Sequence, residues 1–198
     1  MVVMSSTEQK KMARIKLLNS RDGLNAAQRA VFDDVVSGPR GKIQGPLMAA
    51  LHNPDLADKW QKLGAALRYE TSLPKRVSEL VILVTAKAWA CQLEWHLHEN
   101  YALNAGLEQT IIDAVKSGDM SRVDDQVILA AHDFVEQLYR TRRVGADAYA
   151  RALAQFGDVG VVEMTALAGY YTMVAMTLNA HEFPLPDGVA RPFPEFET

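Results

Sequence analysis

The 198-residue chain has one cysteine, no surplus of positive charge and no long unbroken apolar run, and each shortage removes a class of explanation. A single thiol cannot close an internal disulfide. A formal net charge of −3 and a sequence pI near 6.0, with Lys and Arg dispersed rather than striped, supply no field for a polyanion. Nucleic acid is therefore not an expected partner, nor is an anionic membrane surface. Even the apolar stretch from Leu80 to Ala90 is broken by Lys87, far short of the eighteen or more residues of a membrane span. Charged residues soon after Met4 leave no apolar core of signal-peptide length, so the expected address is cytoplasmic. The segment Gly38 to Gly45 has neither the preceding strand nor the spacing of a phosphate-binding loop. His96 and His98 are two apart, which on a helix points them about 200° from one another and away from a common ion. Neither a cofactor nor a metal is expected.

What the chain does have is apolar material in helical register, 48% apolar against 23% charged, enough for one substantial core. The eight prolines fall mainly between or after periodic segments, where they stop helices rather than interrupt them. The spacing predicts helices over Asn25 to Val36, Pro46 to Leu51, Pro54 to Tyr69, Pro74 to Trp89, Cys91 to Ala105, Glu108 to Ser117, Asp124 to Tyr139, Ala146 to Phe156 and Val159 to Asn179. Gly106, Gly118 and Gly157 sit where left-handed helix ends are needed. Strand alternation is absent, so the fold class is all-α. The expected organisation is an N-terminal arm over 1–23, with a charged helix around Lys10 to Leu18, then a single helical domain over 24–188 and a Pro-rich tail over 189–198 that wraps a neighbouring surface.

Chemistry concentrates between Glu79 and Gly106. Cys91, Glu94, Trp95 and His98 are spaced i, i+3, i+4 and i+7, which places a thiol, an acid, an indole and an imidazole on one helix face. Glu79 precedes Cys91 by twelve positions and His98 follows it by seven. This pattern resembles the carboxymuconolactone decarboxylase and alkylhydroperoxidase D superfamily, in which a Glu is followed, after an apolar helix, by C-x-x-C or its degenerate form and then a His. Glu94-Trp95 and His98, with Ala105-Gly106, look like the decarboxylase-type branch. Arg40 to Pro46, Leu51-His52-Asn53-Pro54 and Gly169 to Val174 extend the resemblance over residues 38 to 188. It implies an alkylhydroperoxidase D-like helical bundle, a trimeric or hexameric homo-oligomer, and Glu79, Cys91, Glu94 and His98 as the catalytic set. Glu94 stands where peroxidase-type members carry their second cysteine, so dithiol chemistry cannot run here unaided.

Twelve residues of straight helix span about 18 Å, so Glu79 can work with this face only if the chain reverses. Ala88-Trp89-Ala90 contains no Gly, Pro or Asn to mark a break, and the reversal is implied by the resemblance. If Cys91 opens an antiparallel helix, His98 returns toward Glu79. A thiol in a first helical turn is expected to have a lowered pKa; the charge of Glu94 one turn away acts in the opposite sense. Trp95 reads as core, and Tyr170, Tyr171 and Met173 read as buried contacts between subunits.

Three functions remain. The first is an enzyme acting on a small carboxylated or lactone substrate, with His98 as general acid or base, Glu79 tuning it and Glu94 or Cys91 lining the pocket. Arg40, Arg68 or Arg76 would hold the carboxylate. The second is a thiol-dependent peroxide reductase at Cys91, its sulfenic acid resolved by an external thiol. The third is a non-catalytic helical assembly with a vestigial site. A faint internal repeat is also present, Glu79-Leu80 to His98-Glu99 echoed by Glu163-Met164 to His181-Glu182.

Overall fold

Local sequence sets most helix ends. In the computed structural model, which describes residues 12–194, the chain runs through α1 (Ala26–Ser37), α2 (Leu47–Ala50), α3 (Pro54–Tyr69), α4 (Lys75–Ala88), α5 (Gln92–Asn104), α6 (Gln109–Ser117), α7 (Gln126–Thr141) and α8 (Ala146–Ala180), with no strand among the described residues. Asn25 caps α1 by accepting from the Gln28 N–H while the Gln28 side chain bonds back to the Asn25 N–H, a reciprocal capping box. Asn53 caps α3 ahead of Pro54 at its first turn, and Asp125 caps α7 by accepting from the Val127 and Ile128 N–H groups. The two helical segments expected on either side of Gly157 both form within the span of α8, separated at that residue by a non-helical backbone with φ of 64°.

The core is built around α4, whose residues from Val77 to Ala86 are all buried. A helix that is buried all round must be covered on all sides, and α5, α6, α7 and α8 supply that cover. The consequence for function is direct: Glu79 and Thr85 lie on this central helix, and a carboxylate placed there must find partners inside the protein.

The return from α4 to α5 occurs at the expected place by an unexpected device. Ala90 adopts a positive φ of 41°, its N–H bonds to the Lys87 carbonyl at 2.9 Å, and the Cys91 N–H bonds to the Ala86 carbonyl at 2.8 Å. These two bonds are those of a left-handed helix stop, a position that glycine ordinarily fills. The strain of an L-residue there is about 1–2 kcal/mol, set against roughly 0.5–1 kcal/mol of extra chain entropy for glycine. Ala90→Gly is therefore expected to raise stability by about 0.5–1 kcal/mol, read from the urea midpoint, whereas Ala90→Val lowers it.

The first and last described segments pack on the rest of the chain. The charged helix expected around Lys10 to Leu18 does not form over 12–18, and Lys10 lies outside the described residues. The backbone there bonds outward instead, Arg14 N–H to the His181 carbonyl at 2.8 Å and Leu18 N–H to the Met48 carbonyl at 3.0 Å, with Ile15, Leu17 and Leu18 against the core. At the other end Phe193 stands edge-on to Trp95, centroids 5.1 Å apart, and the Gln92 side chain bonds both backbone groups of Phe193. The two copies of the faint repeat differ in setting: Glu79 and His98 face each other across a helix reversal, whereas Glu163 and His181 lie along one helix, with Glu163 accepting from Ser72.

Candidate active site

Because α5 runs back along α4, His98 meets Glu79. The imidazole Nδ1 lies 2.6 Å from Glu79 Oε2. One turn earlier on α5, Glu94 places Oε1 3.0 Å from His98 Nε2. Both ring nitrogens thus face carboxylates, and the form that satisfies both is the imidazolium, with two N–H groups donating. Burial pushes the ring toward neutrality, but the Glu94 charge and the hydrogen bonds to Glu79 and Glu94 outweigh it and hold the pKa above the ordinary histidine value. His98 is 4% exposed, so this charge is kept by its partners rather than by water.

Arg68, near the end of α3, completes the charge balance. Its Nη2 lies 3.8 Å from Glu79 Oε1, and its guanidinium stacks on Tyr101 and Tyr69 at 5.2 and 5.5 Å. Two carboxylates and two cations therefore share one interior. Aromatic rings wall it: Tyr101 and Tyr171 each stand edge-on to His98, at 5.3 and 5.2 Å. Burial pushes the Tyr171 hydroxyl well above the usual phenol range despite the opposing charge of Arg68, so it is a protonated wall.

Cys91 is the N-cap residue of α5, with extended backbone. The backbone N–H groups of Leu93 and Glu94 face its sulfur and draw its pKa down, without closing a cap hydrogen bond. Burial and then the Glu94 charge act more strongly in the other direction, and the thiol is pushed up to about 12. The expected lowering by the helix start is thereby overturned: at 1% exposure, desolvation exceeds the helix-end effect. The opposing influence of Glu94 is as expected.

Of the expected residues, Glu79, Glu94 and His98 come together; Trp95 is fully buried under Phe193. Among the three arginines, Arg68 adjoins Glu79, whereas Arg76 is engaged by Asp125 at 2.5 Å. Tyr170 and Tyr171, read from the sequence as subunit contacts, are buried within this chain instead, Tyr171 against His98. Tyr101 was legible at i+3 from His98; Arg68 had no local signal, since α3 reaches the site only through tertiary packing.

Residues 54–137 match the carboxymuconolactone decarboxylase family. No curated protein sequence matches the chain. Among solved structures, an uncharacterized peroxidase-related protein from Silicibacter sp. TM1040 superposes with a TM-score of 0.72 at 15% identity, covering 92% of this chain and 95% of that one. A peroxidase-related protein from Ralstonia eutropha JMP134, an alkylhydroperoxidase AhpD core, gives 0.71 at 16% identity over 89% and 94%. The debrominase Bmp8, as a cysteine-to-alanine variant with 2,3,4-tribromopyrrole, gives 0.69 at 11% identity over 86% and 91%. At these identities the likeness is one of fold.

Proposed function

We propose that this chain, whose residues 54–137 match the carboxymuconolactone decarboxylase family, is an acid–base enzyme acting on a small carboxylated or lactone substrate, with Glu79, His98 and Glu94 as a proton relay. One observation carries this reading: a buried imidazole held between two carboxylates at 2.6 and 3.0 Å. Glu79 keeps the ring charged and oriented from Nδ1. The proton on Nε2 faces Glu94, the member of the relay able to pass it on. When a carboxylate leaves as carbon dioxide, the electron pair of the broken C–C bond enters the conjugated carbonyl system, and a proton must arrive at that dienolate. A charged imidazolium in a water-poor interior supplies it.

The peroxide-reducing alternative would run through Cys91. A thiol with a pKa near 12 is thiolate in only about one molecule in 10⁵ at neutral pH, and the chain holds no second cysteine to resolve a sulfenic acid. The acid–base reading is tested by incubating the protein with a panel of carboxylated lactones and following carbon dioxide release. Turnover is expected, and Cys91→Ala should retain it within about twofold; absence of turnover across the panel, or loss of it in Cys91→Ala, would point to thiol chemistry instead. Intact-mass measurement after hydroperoxide treatment of the folded protein should show no added oxygen on Cys91.

We also propose assembly into a homo-oligomer. What supports it is the outer face of α8, where Val159, Val162, Ala166, Gly169 and Met176 are exposed in the three-and-four spacing of a helix–helix seam. Gel filtration should elute well above the 21.9 kDa of one chain; elution at that mass removes the proposal.

A further inference from the structure

Beyond the relay lies a second polar cluster that the proposed chemistry does not use. The loop from Gly38 to Pro46, turned by positive φ at Gly41 and Gly45, brings Arg40 across to α8. There an Arg40 Nη2–H points to the Tyr170 hydroxyl at a long 3.5 Å. Arg40 Nε and Trp60 Nε1 are both buried, and neither closes a hydrogen bond of normal geometry among the described residues. The Trp60 N–H lies close enough to the Tyr170 oxygen to draw the phenol's pKa down, though burial still holds it above its usual value. No acceptor for the Tyr170 proton occurs among the described residues.

A buried N–H without an acceptor costs about 1–3 kcal/mol, and two within one cluster call for a reason. The backbone beneath them is shaped to bring them together. At Gly64 on α3 an added Cβ would collide with the Tyr170 hydroxyl and with Arg40 Nη2, so the convergence of these groups over α3 requires glycine. The cluster is also joined to the relay: Tyr170 stands edge-on to Tyr171 at 5.4 Å, and Tyr171 to His98 at 5.2 Å.

We infer that Arg40, Trp60 and Tyr170 form an oxyanion-binding subsite that takes a carboxylate of the substrate, two ring contacts away from the proton-handling group at His98. The chemistry is that of a donor-rich set: a guanidinium, an indole N–H and a phenol whose oxygen already accepts from Arg40. The set has a formal positive charge and no acidic hydrogen-bond partner among the described residues, with the Glu94 charge as the nearest opposing influence on Tyr170. Arg40 is thereby preferred to Arg68 as the carboxylate receptor, because Arg68 is already balanced by Glu79 at 3.8 Å. This inference rests on the acid–base reading of the site and names the class of substrate for it, a small organic acid.

Calorimetric titration of the full chain with benzoate, and with benzyl alcohol as its uncharged counterpart, tests it. Benzoate is expected to bind at least tenfold more tightly than the alcohol. Trp60→Phe, which keeps the ring and removes the donor, and Arg40→Gln should each weaken benzoate about tenfold or more, the scale of one charge-assisted hydrogen bond, while leaving the alcohol unaffected. His98→Gln should bind benzoate as the wild type does. Equal affinity for benzoate and the alcohol, or unchanged benzoate binding in both Trp60→Phe and Arg40→Gln, would overturn the subsite. If that result came with active turnover of lactone acids, the relay would stand and the subsite alone would fall; benzoate binding as described without any turnover would leave the subsite standing and remove the relay.

Discussion

Replacing His98 by glutamine is expected to lower kcat on a lactone acid by about 10²–10⁴-fold, the range ascribed to a positioned general acid or base, with KM nearly unchanged. Glutamine can still reach toward Glu79 and Glu94 but has no proton to give, so the variant separates proton transfer from packing. The pH dependence makes the test sharper. His98 acts here as an acid, and its pKa is held above the ordinary histidine value by two carboxylates. The wild-type rate should therefore be steady on the acid side of neutrality and fall as pH rises through that raised value. In Glu94→Gln the largest of the raising influences is gone, so the alkaline fall should begin at lower pH. NMR titration of the His98 ring in the two proteins checks the same shift without turnover. A rate profile that ignores Glu94, or a His98→Gln variant with wild-type kcat, would remove the imidazole from the mechanism.

Much of this arrangement was legible in the sequence, and the exceptions have physical causes. Asn25, Asn53, Pro54 and Gly118 announce helix ends through groups whose hydrogen bonding or φ preference is local, and the structure places ends there. The α4–α5 reversal left no local mark. Alanine at position 90 has no preference for a positive φ, and the turn is held by backbone bonds to Ala86 and Lys87 together with the packing of two buried helices. The spacing of Cys91, Glu94 and His98 fixed their common face. It did not fix the thiol's chemistry, because a helix-end field acts locally whereas burial depends on everything packed around the sulfur. For the same reason Arg68 could not be chosen over Arg76 from the chain alone. Each is a cation near a helix terminus, and only the tertiary fold turns one toward Glu79 and gives the other to Asp125.

The charge balance inside the site has its own measurable consequence. Glu79 sits on the central helix with His98 at 2.6 Å and Arg68 at 3.8 Å. Substituting leucine keeps most of the volume but leaves two buried cations facing the single carboxylate of Glu94, and breaking a buried pair by removing one member costs about 3–5 kcal/mol. Against a typical total of about 5–15 kcal/mol, Glu79→Leu should lower the urea midpoint steeply. The loss should depend on pH with a definite sign. A histidine whose pKa is raised by folding stabilises the native state fully below its unfolded value of about 6.5, and that contribution fades as pH rises through the raised native value. The gap between wild type and Glu79→Leu should therefore be widest near pH 6 and narrow on the alkaline side. Adding Arg68→Met to Glu79→Leu removes a second stranded charge, so the double variant should regain part of the loss, a non-additivity measurable by a double-mutant cycle. A Glu79→Leu cost under about 1 kcal/mol, flat from pH 6 to 9, would mean that the carboxylate at position 79 is not holding the imidazole in its charged form, and the proton relay would lose its source.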